Sequence, residues 1–142
     1  MHRLTLAQAN TLIEAALARG AELGLKPLTV TVLDPGGHLI ACQRQDGASN
    51  MRVKLAAGKA SGALSLGVSS RKIGDMALER PHFIAAVDTM SEGGLVPAAG
   101  GVIITDEGGT VVGAIGVTGD TSDNDEACAL AAIEKLGLKA VA

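Results

Sequence analysis

His38 follows the pair Gly36-Gly37 at the head of an apolar stretch. An imidazole there can ligate a metal or haem iron, or move a proton near neutral pH. Glu126 stands directly after a glycine-rich loop and is the other candidate acid/base. Lys59 lies among small residues, Ala56-Ala57-Gly58-Lys59-Ala60-Ser61-Gly62-Ala63. Its amine either snorkels to water or reaches an anion in a pocket. Arg44 and Arg52 are candidate partners for a carboxylate or propionate. Asp120, Asp123, Asp125 and Glu126 crowd one short run, but without the register of a calcium-binding loop. Helix capping and pairing with the helix dipole account for most of that cluster.

Other chemistries find no pattern. His2 and His82 form no HxxxH or HExxH spacing with His38, which argues against a metal held by the protein alone. Cys42 and Cys128 make no CxxC and read as small buried hydrophobes. Gly58-Lys59-Ala60-Ser61 is no phosphate-binding loop, because Val53 stands where that motif needs glycine. No GxSxG elbow marks a nucleophile.

These residues need elements to position them. Thr5 and Gln8 form a capping box, and Leu6, Ala9, Ile13, Ala16, Leu17 and Leu23 make a helical stripe ending at Gly24. Residues 28–33 and 38–44 predict two strands around the turn Asp34-Pro35-Gly36-Gly37. Ser49 is placed to cap a helix running to about Leu66, with Met51, Leu55, Ala56, Ala60, Ala63 and Leu64 on its apolar stripe. A short helix starts at Ser69 or Ser70, and more helix is predicted over 83–90. Residues 102–105 and 110–117 predict a second hairpin around Asp106-Glu107-Gly108-Gly109. The last helix spans about 122–136 and stops at Gly137. Between hairpin and helix, Thr118 and Gly119 open onto free backbone amides, a place for a ligand. Gly100 and Gly101, just before the strand, join them as candidate ligand contacts.

The two hairpins echo each other. Thr31-Val32-Leu33-Asp34-Pro35-Gly36-Gly37-His38-Leu39-Ile40-Ala41 aligns with Ile103-Ile104-Thr105-Asp106-Glu107-Gly108-Gly109-Thr110-Val111-Val112-Gly113. Two such hairpins give an antiparallel sheet of four or five strands, with helices covering its faces. The length fits one domain over residues 1–142.

Composition excludes whole classes. Net charge is −3 and Phe83 is the one aromatic residue, so neither a basic footprint nor stacking rings for nucleic acid are present. No apolar run is long enough to span a membrane, and the first residues lack the apolar run of a secretory leader, which points to the cytoplasm. Hydrophobic residues are 47% and charged residues only 19%, a balance that predicts apolar surface covered by a second copy.

Val32 to Ala41, Arg44-Gln45-Asp46-Gly47-Ala48, Gly100-Gly101-Val102-Ile103, Val111 to Gly119 and Asp125-Glu126 come in an order that resembles the GlcG/HbpS-like family. That family includes the haem-binding protein HbpS and the C-terminal domain of PduO. The resemblance covers the whole chain. It implies a profilin-like α/β/α fold, homo-oligomers from dimer to octamer, and a small ligand, with haem or a related tetrapyrrole first. In that reading His38 is the axial ligand and Arg44 or Lys59 faces the propionates. Two other readings stay open: a small catabolic enzyme acting on a carboxylate-bearing metabolite, with His38 or Glu126 as acid/base and Lys59 holding the carboxylate, and an oligomeric accessory protein.

Overall fold

The computed structural model describes residues 2–142. In chain order the elements are α1 (Leu6–Leu23), β1 (Thr29–Leu33), β2 (Leu39–Arg44), α2 (Arg52–Leu66), α3 (Ser70–Glu79), α4 (Pro81–Met90), β3 (Gly101–Thr105), β4 (Val111–Thr118), α5 (Ser122–Lys135) and β5 (Lys139–Val141). The strands form one antiparallel sheet in the order β2-β1-β4-β3-β5. This is the α+β fold expected, with helices on both faces of the sheet.

The doubled hairpin is the frame. In the first turn Asp34 Oδ1 accepts from the amides of Gly36 and His38, and Gly37 N donates to Asp34 O. In the second, Asp106 Oδ1 accepts from Thr110 N and Gly109 N donates to Asp106 O. Gly37 and Gly109 sit at φ 83° and 84°, a conformation that costs glycine nothing. The hairpins join through β1 and β4, where Thr29 faces Thr118 and Val32 faces Ile115.

Strand alternation then sorts the core. Val30, Val32, Val102, Ile104, Ile115 and Val117 pack against α1 and α5. The opposite face is built from smaller residues and receives α2. There Thr31, Gly116 and Gly101 lie in one row across three strands. A Cβ on Gly116 would stand 2.0 Å from Ala56 O, and one on Gly101 2.1 Å from Lys59 O. Glycine at these positions lets α2 lie almost on the sheet.

Several expectations need correction. The Thr5–Gln8 capping box is present in α1. The buried face, however, is Ala9, Leu12, Ile13, Ala16 and Gly20, while Leu6 is 59% and Leu23 41% exposed. These two sit in the terminal turns, where no layer covers them. Ser49 does not cap α2: Met51 holds that place without a side-chain hydrogen bond, and Ser49 only accepts from Arg52 N through its carbonyl. Met51 is exposed rather than part of the stripe. Cys128 is buried, its thiol pushed up to about 11 by desolvation. Cys42 is only half-buried because β2 is an edge strand. After Gly137 the chain adds β5 along β3, a strand too short to register as a periodic pattern.

Candidate functional site

The run from Val117 to Glu126 is held by the protein's own cations. Lys59 leaves α2, passes Gly100 and ends with Nζ 3.2 Å from Asp125 Oδ2 and 3.0 Å from Val117 O. Both side chains are enclosed, at 4% and 1% exposure. A Cβ on Gly100 would lie 3.0 Å from Lys59 Cδ and 2.4 Å from Val117 O, so this glycine clears a channel for the lysine. Asp125 Oδ1 also accepts from Asp120 N. Burial lowers the Lys59 pKa; the Asp125 carboxylate opposes that shift and the nearby Arg52 charge adds to it. The amine thus neither snorkels nor faces a pocket: it staples α2 to α5 across the end of the sheet.

Glu126 is bound in the same way. Arg71, from α3, donates Nε to Glu126 Oε1 at 3.0 Å and Oε2 at 3.2 Å, and its Nη2 bonds Asp123. These bonds, first to Asp123 and then to Glu126, raise the pKa of Arg71. Ser70 Oγ beside it accepts from Gly101 N at 2.7 Å. Thr118 is buried and its Oγ1 accepts from Arg52 Nη1 at 2.9 Å. Gly119 has φ 141°, and a Cβ there would meet Pro27 O at 2.2 Å. Gly100, Gly101, Thr118 and Gly119 are therefore all in close contact with other parts of the chain. Arg71 carried no sequence signal, since its partners lie more than fifty positions away on another helix.

His38 stands elsewhere, at the mouth of an open groove with a volume of ≈ 590 Å³. One wall is the β1–β2 turn from Pro35 to His38. The other is the end of α2, with Leu64 and Leu66, and the end of α4, with Val87 and Met90. The imidazole is 81% exposed and its Nδ1 lies 3.3 Å from Asp34 Oδ1. Slight burial works to raise the Asp34 pKa, but the amides of His38 and Gly36 and the imidazole outweigh it and hold it below the usual value. A carboxylate at Nδ1 orients the ring and leaves Nε2 outward. Ser91 also lines the groove, and its Oγ is buried without a partner among the described residues. Sequence reasoning missed α4 as a wall, because only the α3–α4 packing around Ile73 and Ile84 brings it there.

Arg44 closes the far end of β2 from His38, about 20 Å along a six-residue strand. The expected set His38, Arg44 and Lys59 is thus not gathered in one place.

A family model described as "Haem degrading protein HbpS-like" matches residues 4–134. The chain belongs to the HbpS-like family. A 15.0 kDa protein from the dhaT-dhaS intergenic region of Citrobacter freundii is 28% identical over 131 residues, 92% of this chain and 90% of that protein. Among solved structures, a doubly substituted HbpS of Streptomyces reticuli is 28% identical with a TM-score of 0.82, over 96% of this chain and 89% of that one. The complex of the PduO C-terminal domain with haem shares the fold at 22% identity and a TM-score of 0.84, over 96% of this chain and 97% of that one. Like these HbpS-like structures, the chain places helices on both faces of a five-stranded antiparallel sheet. Among the described residues no helix is long and apolar enough to cross a membrane.

Proposed function

We propose that the protein binds haem or a related tetrapyrrole in the groove beside His38, with His38 Nε2 as the iron ligand. The observation that carries the reading is the pairing of an exposed, Asp34-oriented imidazole with an apolar wall of Leu64, Leu66, Val87 and Met90. A flat apolar macrocycle gains from such a wall, and histidine is a common axial ligand. The unpartnered Ser91 hydroxyl lies beneath the same lining. Membership of the HbpS-like family and a haem-bound relative of the same fold support the reading. Among the described residues no lysine or arginine lines the groove, so the propionates would face solvent; Lys59 is committed to Asp125 and Arg44 is remote.

We further propose self-association in the cytoplasm, supported by the exposed apolar side chains Leu39, Met51, Leu78 and Met90. The carboxylate-processing alternative keeps only His38 of its expected residues, because Glu126 and Lys59 are both held in ion pairs.

Hemin titration tests the proposal. A saturable Soret shift is expected, and His38→Ala should lose the axial-ligand signature while keeping its circular dichroism. No saturable shift, or the same spectrum in the His38→Ala protein, removes the reading.

A further inference from the structure

Arg44, Thr29 and Thr118 form a cross-strand row: Thr29 pairs with Arg44 on β2 and with Thr118 on β4. Residues directly opposite in antiparallel pairs share a face. Two contacts place that face toward the start of α2. Arg44 Nη1 reaches Asn50 Oδ1 at 3.4 Å, and Arg52 Nη1 reaches Thr118 Oγ1 at 2.9 Å. Two guanidinium groups therefore flank the middle strand, where Thr29 stands.

Three observations here lack a structural purpose. Thr29 is fully buried, yet its Oγ1 has no hydrogen-bond partner among the described residues. Among the described residues neither Arg44 nor Arg52 makes an ion pair with a carboxylate; the pairs present involve Arg19, His38, Lys59 and Arg71. The first turn of α2 has no side-chain cap and no acidic residue. A buried hydroxyl without a partner costs stability. Two unpaired arginines beside an uncapped helix N-terminus add their fields in one direction, favouring a negative charge.

We propose that this row is a binding site for a small oxyanion, the carboxylate or phosphate group of a ligand. Arg44 and Arg52 grip it, the α2 first-turn amides face it, and the Thr29 hydroxyl donates to it. Arg52 is half-buried and bonded to Thr118, which stands opposite Thr29. In this proposal its side chain is the part that moves to admit the anion to the enclosed hydroxyl. The site is independent of the His38 groove, which lies at the other end of β2.

The test titrates acetate and inorganic phosphate separately into the full chain, following backbone amide NMR shifts and thermal midpoint. Saturable shifts centred on Thr29, Val53, Lys54 and Thr118 with either anion are expected, and the preferred anion names the group. Arg44→Gln should weaken binding about tenfold to a hundredfold, the loss of one charge-assisted contact. Arg44 is exposed, so this variant keeps the fold even if Arg52→Gln does not. Thr29→Val should weaken binding about threefold to tenfold while leaving the anion-free protein at least as stable. Non-saturating shifts with both anions, or unchanged affinity in Arg44→Gln and Thr29→Val, overturn the proposal and leave an adventitious ion only.

Discussion

Replacing Asp125 by Ala should be among the costliest changes this protein can suffer short of dismantling its core. It leaves the Lys59 ammonium enclosed, with Val117 O at 3.0 Å as its remaining partner. Because both partners are almost fully buried, solvent screening earns no discount, and removing one member of such a pair costs about 3–5 kcal/mol. For a chain of this size that is a fall in Tm of about 10–20 °C. Lys59→Met should cost less, about 1–3 kcal/mol. The Asp125 carboxylate then keeps the Asp120 amide at 3.0 Å and its favourable place in the first turn of α5. The double variant should cost less than the sum by about 1–3 kcal/mol. The pH dependence has a definite sign. Burial already lowers the Lys59 pKa from 10.5, and losing Asp125 removes the main influence opposing that shift. The unfolded chain then holds the proton more tightly than the folded one. Stability of Asp125→Ala should therefore rise with pH between the lowered folded value and 10.5. Urea melts of the four proteins from pH 7 to 10 measure all of this. A loss under about 1 kcal/mol for Asp125→Ala, or single effects that add to within about 0.5 kcal/mol, would refute the staple.

Two further outcomes follow from single contacts. Gly116→Ala should lose about 1–3 kcal/mol in urea melts, since its Cβ would stand 2.0 Å from Ala56 O and push α2 off the sheet; an unchanged midpoint would show that α2 can give way freely. Asp120 accepts from the Asn124 side chain and the Thr121 and Lys26 amides, which hold its pKa at about 2 against 3.8 unfolded. Its stabilisation is present above 3.8 and lost as pH falls toward about 2, so Asp120→Asn should flatten acid unfolding within that window. Parallel wild-type and variant curves there would count against it.

Local chemistry made much of the fold legible. The Thr5–Gln8 box, the twin Asp-x-Gly-Gly turns and the β-branched runs act through neighbours a few positions away, and each acts in the structure as its spacing predicts. The family order of motifs was legible too, and so was His38 as a residue the turn itself does not require: Thr110 fills the same place in the twin. Ser49 as a cap failed because the chain leaves the β2 end through a turn that puts Met51 at the N-cap.

Whether a charged residue is free or spent was decided only by tertiary structure. Lys59 and Asp125 are 66 positions apart, and Arg71 and Glu126 are 55 apart. Nothing in either local pattern says that α2, α3 and α5 meet at one end of the sheet. Gly100, Gly101, Thr118 and Gly119 had the composition of a ligand loop, yet tight packing of helices and strands needs small residues for the same steric reason. By itself the sequence determined the hairpins, the helices and the membership of the family. Packing determined which cations were consumed in ion pairs, and so left His38 beside its groove and Arg44 with Arg52 around an unsatisfied Thr29.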